Sequence, residues 1–315
     1  MKIKLLLISF LLATNALGSR NYNEAYNKLI RRKNTANTAL EEGMDSSSGS
    51  YLIPIGNEKD YTAAITRENL FRRYGTVING PNTDGVIQTV ISTAEASITE
   101  ESQAFPQDGD TFNRLNFHSY KLATLSKLSN TFLSDFHFDA ESYLNNEFSR
   151  RFGRAEENIF LNGTGSKEPT GLLTTAETGV TAADSAFFNA DEVIALYLSV
   201  KPEYCKNGMW LMNDETALLL RTLKDSAGNY LWRSTDDTIF GKPMVCTPYM
   251  PNIGASTMPI AFGDLSYYWI LIRQPLSVKV LTELYVHEGV TGYAAHERLD
   301  GMLIRPEAVK TIKMP

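Results

Sequence analysis

Two His-Glu pairs occur late in the sequence, His287-Glu288 and His296-Glu297. On a helix, HExxH sets two imidazoles on one face with a carboxylate between them, enough to hold zinc and activate water. Here Thr291 stands where the second ligand of the first pair is needed, and the second pair fails in the same way. The histidines at 118, 137, 287 and 296 show no ligand spacing, so they read as ordinary core or surface residues, and His296 and Glu297 as surface or interface ones. Gly163-Thr164-Gly165-Ser166-Lys167 has the look of a phosphate loop but lacks the GxxxxGK[ST] spacing and follows a helix rather than a strand. A helix-ending turn is the better reading, because glycine supplies the left-handed conformation there. Cys205 and Cys246 form no CxxC and sit among hydrophobic residues, so they read as free thiols in a core. No GxSxG, no GxGxxG and no Cys/His cluster is present. The expectation is a chain with no nucleophile, base, metal or cofactor, and not an enzyme.

What stands out instead is how charge is distributed. Residues 82–113 carry Asp84, Glu95, Glu100, Glu101, Asp108 and Asp110 and no Lys or Arg, whereas Arg150, Arg151 and Arg154 cluster further on with Glu156 and Glu157. Such acidic runs are usually solvated loops. Glu100, Glu101, Asp108 and Asp110 on one side and Arg150, Arg151 and Arg154 on the other are the candidate contact residues. Rim charges of this kind set register and assembly rate more than affinity. The whole chain, 315 residues with 43% hydrophobic and 21% charged, has net charge −6 and so no global drive toward nucleic acid.

The elements that would position these residues follow from periodicity. Val86 to Ser92 is rich in β-branched residues, Phe105 to Asp110 is a turn signature, and Phe112 to Leu128 alternates again. This reads as a long two-stranded ribbon with a mobile acidic tip, which has little core of its own and needs a partner surface. Asp139 to Leu161 is the clearest helix, with Ala140, Tyr143, Leu144, Phe148, Phe152, Ala155 and Ile159 on an apolar stripe, Asp139 as its cap and Asn162-Gly163 as its stop. Its polar face holds Arg150, Arg151, Arg154, Glu156 and Glu157. Shorter helices near Ala190–Ser199 and Asp214–Lys224 each start at an Asn or Asp of cap type. Strand-like runs fall at Gly208–Met212, Met244–Cys246 and Tyr267–Leu281. The mixture without regular β-α-β alternation argues an α+β fold.

The start of the chain is of a different character. Lys2 and Lys4 precede an apolar run from Leu5 to Leu12, and Ala16-Leu17-Gly18 has the small residues of a cleavage site. Residues 1–18 read as a secretory signal peptide, or as a hydrophobic segment from an early start codon or the stub of a propeptide; they are too short for a membrane span. No other stretch reaches the length of a membrane helix, and no membrane partner is expected. Residues 19–50 are polar, with a short helix expected from Asn23 to Arg32 and a flexible Asp45–Ser50 arm leading into extended Tyr51–Pro54.

Several segments, in order, resemble the major capsid proteins of tailed phages, whose fold was first described for bacteriophage Hong Kong 97. Ser48–Pro54 is similar to that family's glycine-rich arm and "YLVP" segment. Arg154–Gly165 with Pro169-Thr170-Gly171-Leu172-Leu173 looks like its helix end and "P-x-G-L". Trp210–Asn213, Leu223-Lys224-Asp225 and Gly228–Leu231 match "W-x-M-N … L-K-D-x-x-G-x-Y-L", Gly241–Val245 matches "G-x-P-V", and Phe262-Gly263-Asp264 and Arg298–Gly301 fit the closing strands. The resemblance spans about residues 20–315.

The resemblance implies a Hong Kong 97-type capsid fold. Residues 19–81 would be an N-terminal arm, 82–117 an extended E-loop, 118–189 and 291–315 a peripheral P-domain with a long spine helix, and 190–290 an axial A-domain. It implies self-assembly into hexamers and pentamers of an icosahedral head enclosing double-stranded DNA without sequence-specific binding. Portal, scaffolding and maturation protease would be its partners, and the virion, assembled in the host bacterial cytoplasm, its location. The chain departs from the family where many members carry about a hundred residues of scaffolding segment before the arm. An encapsulin-type compartment around enzyme cargo and an exported surface protein are the competing readings. Some relatives join an E-loop Lys to a P-domain Asn with a helper Glu. Here no Lys lies between Lys59 and Lys121 and no Asn follows Asn252, so no such cross-link is expected, even with Asp300 as a substitute acceptor.

Overall fold

The computed structural model describes residues 44–45, 50–52, 55–80, 85–92, 111–134, 139–224, 228–230, 232 and 237–315. In chain order come strands β1 (Met44–Asp45) and β2 (Ser50–Leu52), helices α1 (Ile55–Glu68) and α2 (Leu70–Tyr74), and strands β3 (Thr76–Asn79), β4 (Gly85–Ser92), β5 (Thr111–Phe117) and β6 (Tyr120–Ser129). Helices α3 (Asn130–Ser134), α4 (Ala140–Asn162) and α5 (Leu172–Thr175) follow, then β7 (Glu177–Thr181), α6 (Ala190–Ser199), α7 (Pro202–Cys205), β8 (Met209–Met212) and α8 (Asp214–Thr222). Strands β9 (Thr238–Ile239), β10 (Lys242–Cys246), β11 (Ile260–Gly263), β12 (Tyr268–Leu281), β13 (Val290–Leu303) and β14 (Val309–Lys313) complete the order. The contacts divide the chain into two units.

Unit one takes the described residues up to Arg73, Ser119–Glu157 and Ile272–Leu299. Its sheet has the order β1-β2-β12-β13-β6, and β13 runs antiparallel to β6 from Val290↔Ser129 to Leu299↔Tyr120. Tyr61 and Ile65 of α1 and Ala140, Leu144, Phe148 and Phe152 of α4 pack on Leu128, Leu276, Val278, Tyr293 and Ala295 of this sheet. Each large side chain so buried contributes about 1.5–3 kcal/mol. Asp139 caps α4, its Oδ1 accepting the Glu141 and Ser142 N–H groups at 3.2 and 3.4 Å.

Unit two takes Tyr74–His118, Asn158–Leu271 and Asp300–Pro315. Its main sheet has the order β7-β14-β11-β8-β10-β9, with β10 parallel to β8 and β11 antiparallel to both β8 and β14. One face, Trp210, Met212, Ile260, Phe262 and Ile312, gathers Val193 and Leu196 of α6, Tyr204 of α7 and Ala217 and Leu220 of α8 into a single core. The helices start as their cap residues dictate: Glu192 Oε2 accepts the Asn189 N–H at 2.9 Å, and Asn213 Oδ1 accepts the Thr216 N–H at 2.8 Å. Strands β4 and β5 form a separate antiparallel pair, Gly85↔Phe117 to Ser92↔Thr111.

Four sequence expectations change. The ribbon's second strand stops at Phe117, and Tyr120 to Ser129 leaves it for the sheet of unit one. The break falls where Phe117 is buried and the His118 N–H donates to Asp300 Oδ2 at 2.6 Å, which ends the alternation. Glu156 and Glu157 are buried rather than on a polar helix face, and His296 and Glu297 are buried rather than at the surface. Cys246, at the end of β10 near the sheet edge, is exposed rather than in a core, while half-buried Cys205 packs against the core of unit two.

Candidate functional site

Two arrangements in unit one and unit two carry the polar and charged groups of interest. In unit one, Arg72 at the end of α2 meets Glu156 on α4 in a fork: Nε to Oε2 is 2.7 Å and Nη2 to Oε1 is 2.6 Å. Asn69, in the one-residue break between α1 and α2, donates from Nδ2 to Glu156 Oε2 at 2.7 Å, while its Oδ1 accepts the Phe71 and Arg72 N–H groups at 2.8 and 3.3 Å. Glu157 Oε2 accepts the Leu70 N–H at 3.1 Å. Glu297 of β13 brings Oε2 to 3.5 Å from Arg72 Nη2, and its Oε1 has no hydrogen-bond partner, nor has Tyr61 Oη.

One guanidinium thus faces two carboxylates, and both are almost fully buried, Glu156 at 0% and Glu297 at 1% exposure. The bidentate partner of Arg72 is Glu156, so Glu297 is left over. Burial pushes the Glu297 carboxyl well above the usual range, the charge of Glu156 pushes it further, and Arg72 only partly opposes them. Burial raises the Tyr61 phenol too, with Glu297 adding to the effect. Burial alone would lower Arg72, but Glu156 and then Glu297 hold it raised. With the proton on Glu297, Arg72 and Glu156 are left as a charge-balanced forked pair, which a dry site favours over one cation facing both carboxylates. It fastens helix α2, helix α4 and strand β13 together and offers no polarised nucleophile.

The predicted contact residues separate into two groups. Arg150, Arg151 and Arg154 are exposed on α4. Each has a partner in its own chain: Arg150 and Arg151 bond Glu147 at 2.6 and 2.7 Å, Arg151 also reaches the Leu125 carbonyl at 3.0 Å, and Arg154 lies 4.0 Å from Glu68. Glu100, Glu101, Asp108 and Asp110 lie outside the described residues, as does the expected helix Asn23 to Arg32. Asp300 has both oxygens engaged: Oδ1 accepts the Gly301 N–H at 2.8 Å and Oδ2 that of His118.

The segment with the look of a phosphate loop closes on itself in unit two. Gly163 accepts the Gly171 N–H at 2.8 Å and the Thr174 hydroxyl at 2.8 Å, and Glu168 accepts the N–H and hydroxyl of Thr164 at 3.0 and 2.8 Å. A Cβ on Gly163 would stand 2.3 Å from the Pro169 carbonyl oxygen, so only glycine allows that approach. Among the described residues no group of three or more His, Cys, Asp or Glu could hold a metal ion, and no helix is long and apolar enough to cross a membrane.

Sequence reasoning missed the helix pair α1–α2 and with it the buried cluster. The signal was present only as Glu156-Glu157 interrupting the apolar stripe of α4, and its partner Arg72 lies 84 residues away.

A model described as the phage capsid family matches residues 49–314. Among solved structures, the capsid of a native GTA particle computed with C5 symmetry is similar at TM-score 0.68 and 26% identity over 80% of this chain and 90% of that one. The capsid of the empty GTA particle gives 0.71 and 26%, over 78% and 90%. A chain of Gordonia phage Cozz gives 0.60 and 14%, over 78% and 86%. No match was found among curated proteins.

Proposed function

The chain belongs to the phage capsid family, and from that premise we propose that copies of it assemble as hexamers and pentamers into an icosahedral phage head around double-stranded DNA. It is a major capsid protein, a structural component of the virion, with the α+β Hong Kong 97-type fold. The family match and the capsid neighbours favour this over an encapsulin-type compartment. The observation that carries the reading is the β4–β5 pair, which among the described residues hydrogen-bonds to no third strand. A lone two-stranded ribbon is marginal in water, and a neighbouring copy supplies the surface it lacks.

Portal, scaffolding protein and maturation protease are the further partners of this reading, and assembly takes place in the host bacterial cytoplasm. The acidic ribbon residues Glu100, Glu101, Asp108 and Asp110 dock on Arg150, Arg151 and Arg154 of a neighbour. The DNA is enclosed rather than read, in keeping with a net charge of −6. Negative-stain microscopy of the purified chain tests the proposal. Closed shells are the expected result, and a species that stays monomeric across protein and salt concentration overturns it.

A further inference from the structure

Unit two presents two apolar stripes to solvent. On α6, Asp191, Ile194 and Leu198 share one side of the helix and are all exposed, Leu198 at 73%. On α8, Glu215, Leu218, Leu219 and Thr222 form a second stripe, with Leu218 at 63%. Beyond its end, exposed Lys224 lies over the Tyr230 ring, 4.7 Å from the centroid. The inner sides of both helices are already spent on the core. The outer leucines are therefore surplus to folding, and contiguous apolar patches left on a surface mark contacts.

The stripes lie toward opposite edges of one sheet. Helix α6 packs on β7 and β14, where the sheet begins. Helix α8 is tied to the other edge, Arg221 pairing with Asp237 just before β9. Their charges also differ. The α6 helix carries Asp191 and Glu192 and no base, and Glu192 is occupied in its cap. The α8 stripe begins at Glu215, which accepts a hydrogen bond from Asn252 at 2.8 Å, and its C-terminal end lies beside exposed Lys224.

We infer that the α6 stripe of one copy seats on the α8 stripe of the next, with Asp191 facing Lys224, so that each subunit uses two different faces. This rests on the reading of the chain as a shell protein and names the contact that builds its rings. A contact between unlike faces propagates head to tail and closes where the rotation allows, whereas a self-complementary contact stops at a pair.

That difference makes the inference testable by mixing. Leu198→Glu spoils only the first face and Leu218→Glu only the second. Both positions are exposed, so each variant keeps the parent's circular dichroism and thermal midpoint; Ile194→Glu and Leu219→Glu repeat the experiment should either fail to fold. At concentrations where the parent forms shells, each variant alone is expected to sediment as a monomer. An equal mixture is expected to give a one-to-one dimer and nothing larger, because the single intact pair of faces joins and both outer faces are spoiled. Shells from either variant alone, dimers of one variant by itself, or a mixture that stays monomeric would each overturn the pairing. A parent that forms no shells refutes the proposed function, and the pairing falls with it.

Discussion

Arg72 holds a carboxylate on each of two sides, and losing them has unequal cost. Glu156→Gln removes the forked partner of a buried cation, and such a loss costs about 3–5 kcal/mol. Glu297→Gln removes a group that folding already obliges to carry a proton, so stability is expected to hold or rise. The pH dependence separates them further. The folded carboxyl of Glu297 binds its proton more tightly than the unfolded one does, so the native state holds the extra proton above the ordinary carboxylate range of about 4.3. The stability contribution is then full below that range and declines as pH rises toward the folded-state value. Urea midpoints of the unassembled subunit from pH 4 upward should show that decline in the parent and a flatter profile in Glu297→Gln. Equal losses for the two variants at pH 8 would contradict the assignment of the proton.

At the scale of elements, the loop that joins α4 to α5 combines side-chain bonds from Thr174 and Glu168 with a close backbone approach at Gly163. Gly163→Ala places a methyl group against the Pro169 carbonyl, and overpacking of this kind costs about 1–3 kcal/mol. Gly254→Ala, with its nearest neighbour 3.7 Å away, is expected to be close to neutral, and differential thermal midpoints compare the two. The ribbon gives a second element prediction. In the unassembled subunit, amides of β4 and β5 should exchange faster than those of β6, which lies against β13, and should slow on assembly. Equal protection of β5 and β6 before assembly would count against the ribbon's dependence on a neighbour. These elements also show what periodicity can and cannot carry. Helix α6 and strand β12 are legible because their patterns and caps are local. The Phe117–Tyr120 break is not, since Asp300, which accepts the His118 N–H, is 182 residues distant. The stripe of α4 misled for the same reason: the partners that admit its carboxylates to the interior, the Arg72 guanidinium for Glu156 and the Leu70 N–H for Glu157, lie more than eighty residues away. The candidate contact residues Glu100, Glu101, Asp108 and Asp110 rest on charge alone, with no pattern to fix their partners.

At the scale of the whole molecule, shell stability has to come from packing. The sequence offers no Lys between Lys59 and Lys121, and Asp300, the alternative acceptor, is only 2% exposed with both oxygens engaged. Denaturing electrophoresis of mature particles should give one band near the subunit mass of 35.1 kDa, and a ladder of multiples surviving boiling and reductant would refute this. The division of the chain has a bearing on synthesis. Each unit draws on three separate stretches, and the last strand of unit two, β14, lies inside its sheet between β7 and β11. Translation proceeds at about 5–20 residues per second, and until Lys313 has left the ribosome that sheet lacks an interior strand. Before then the edges of β7 and β11 stand unpaired, and such open edges are where crowded nascent copies pair wrongly.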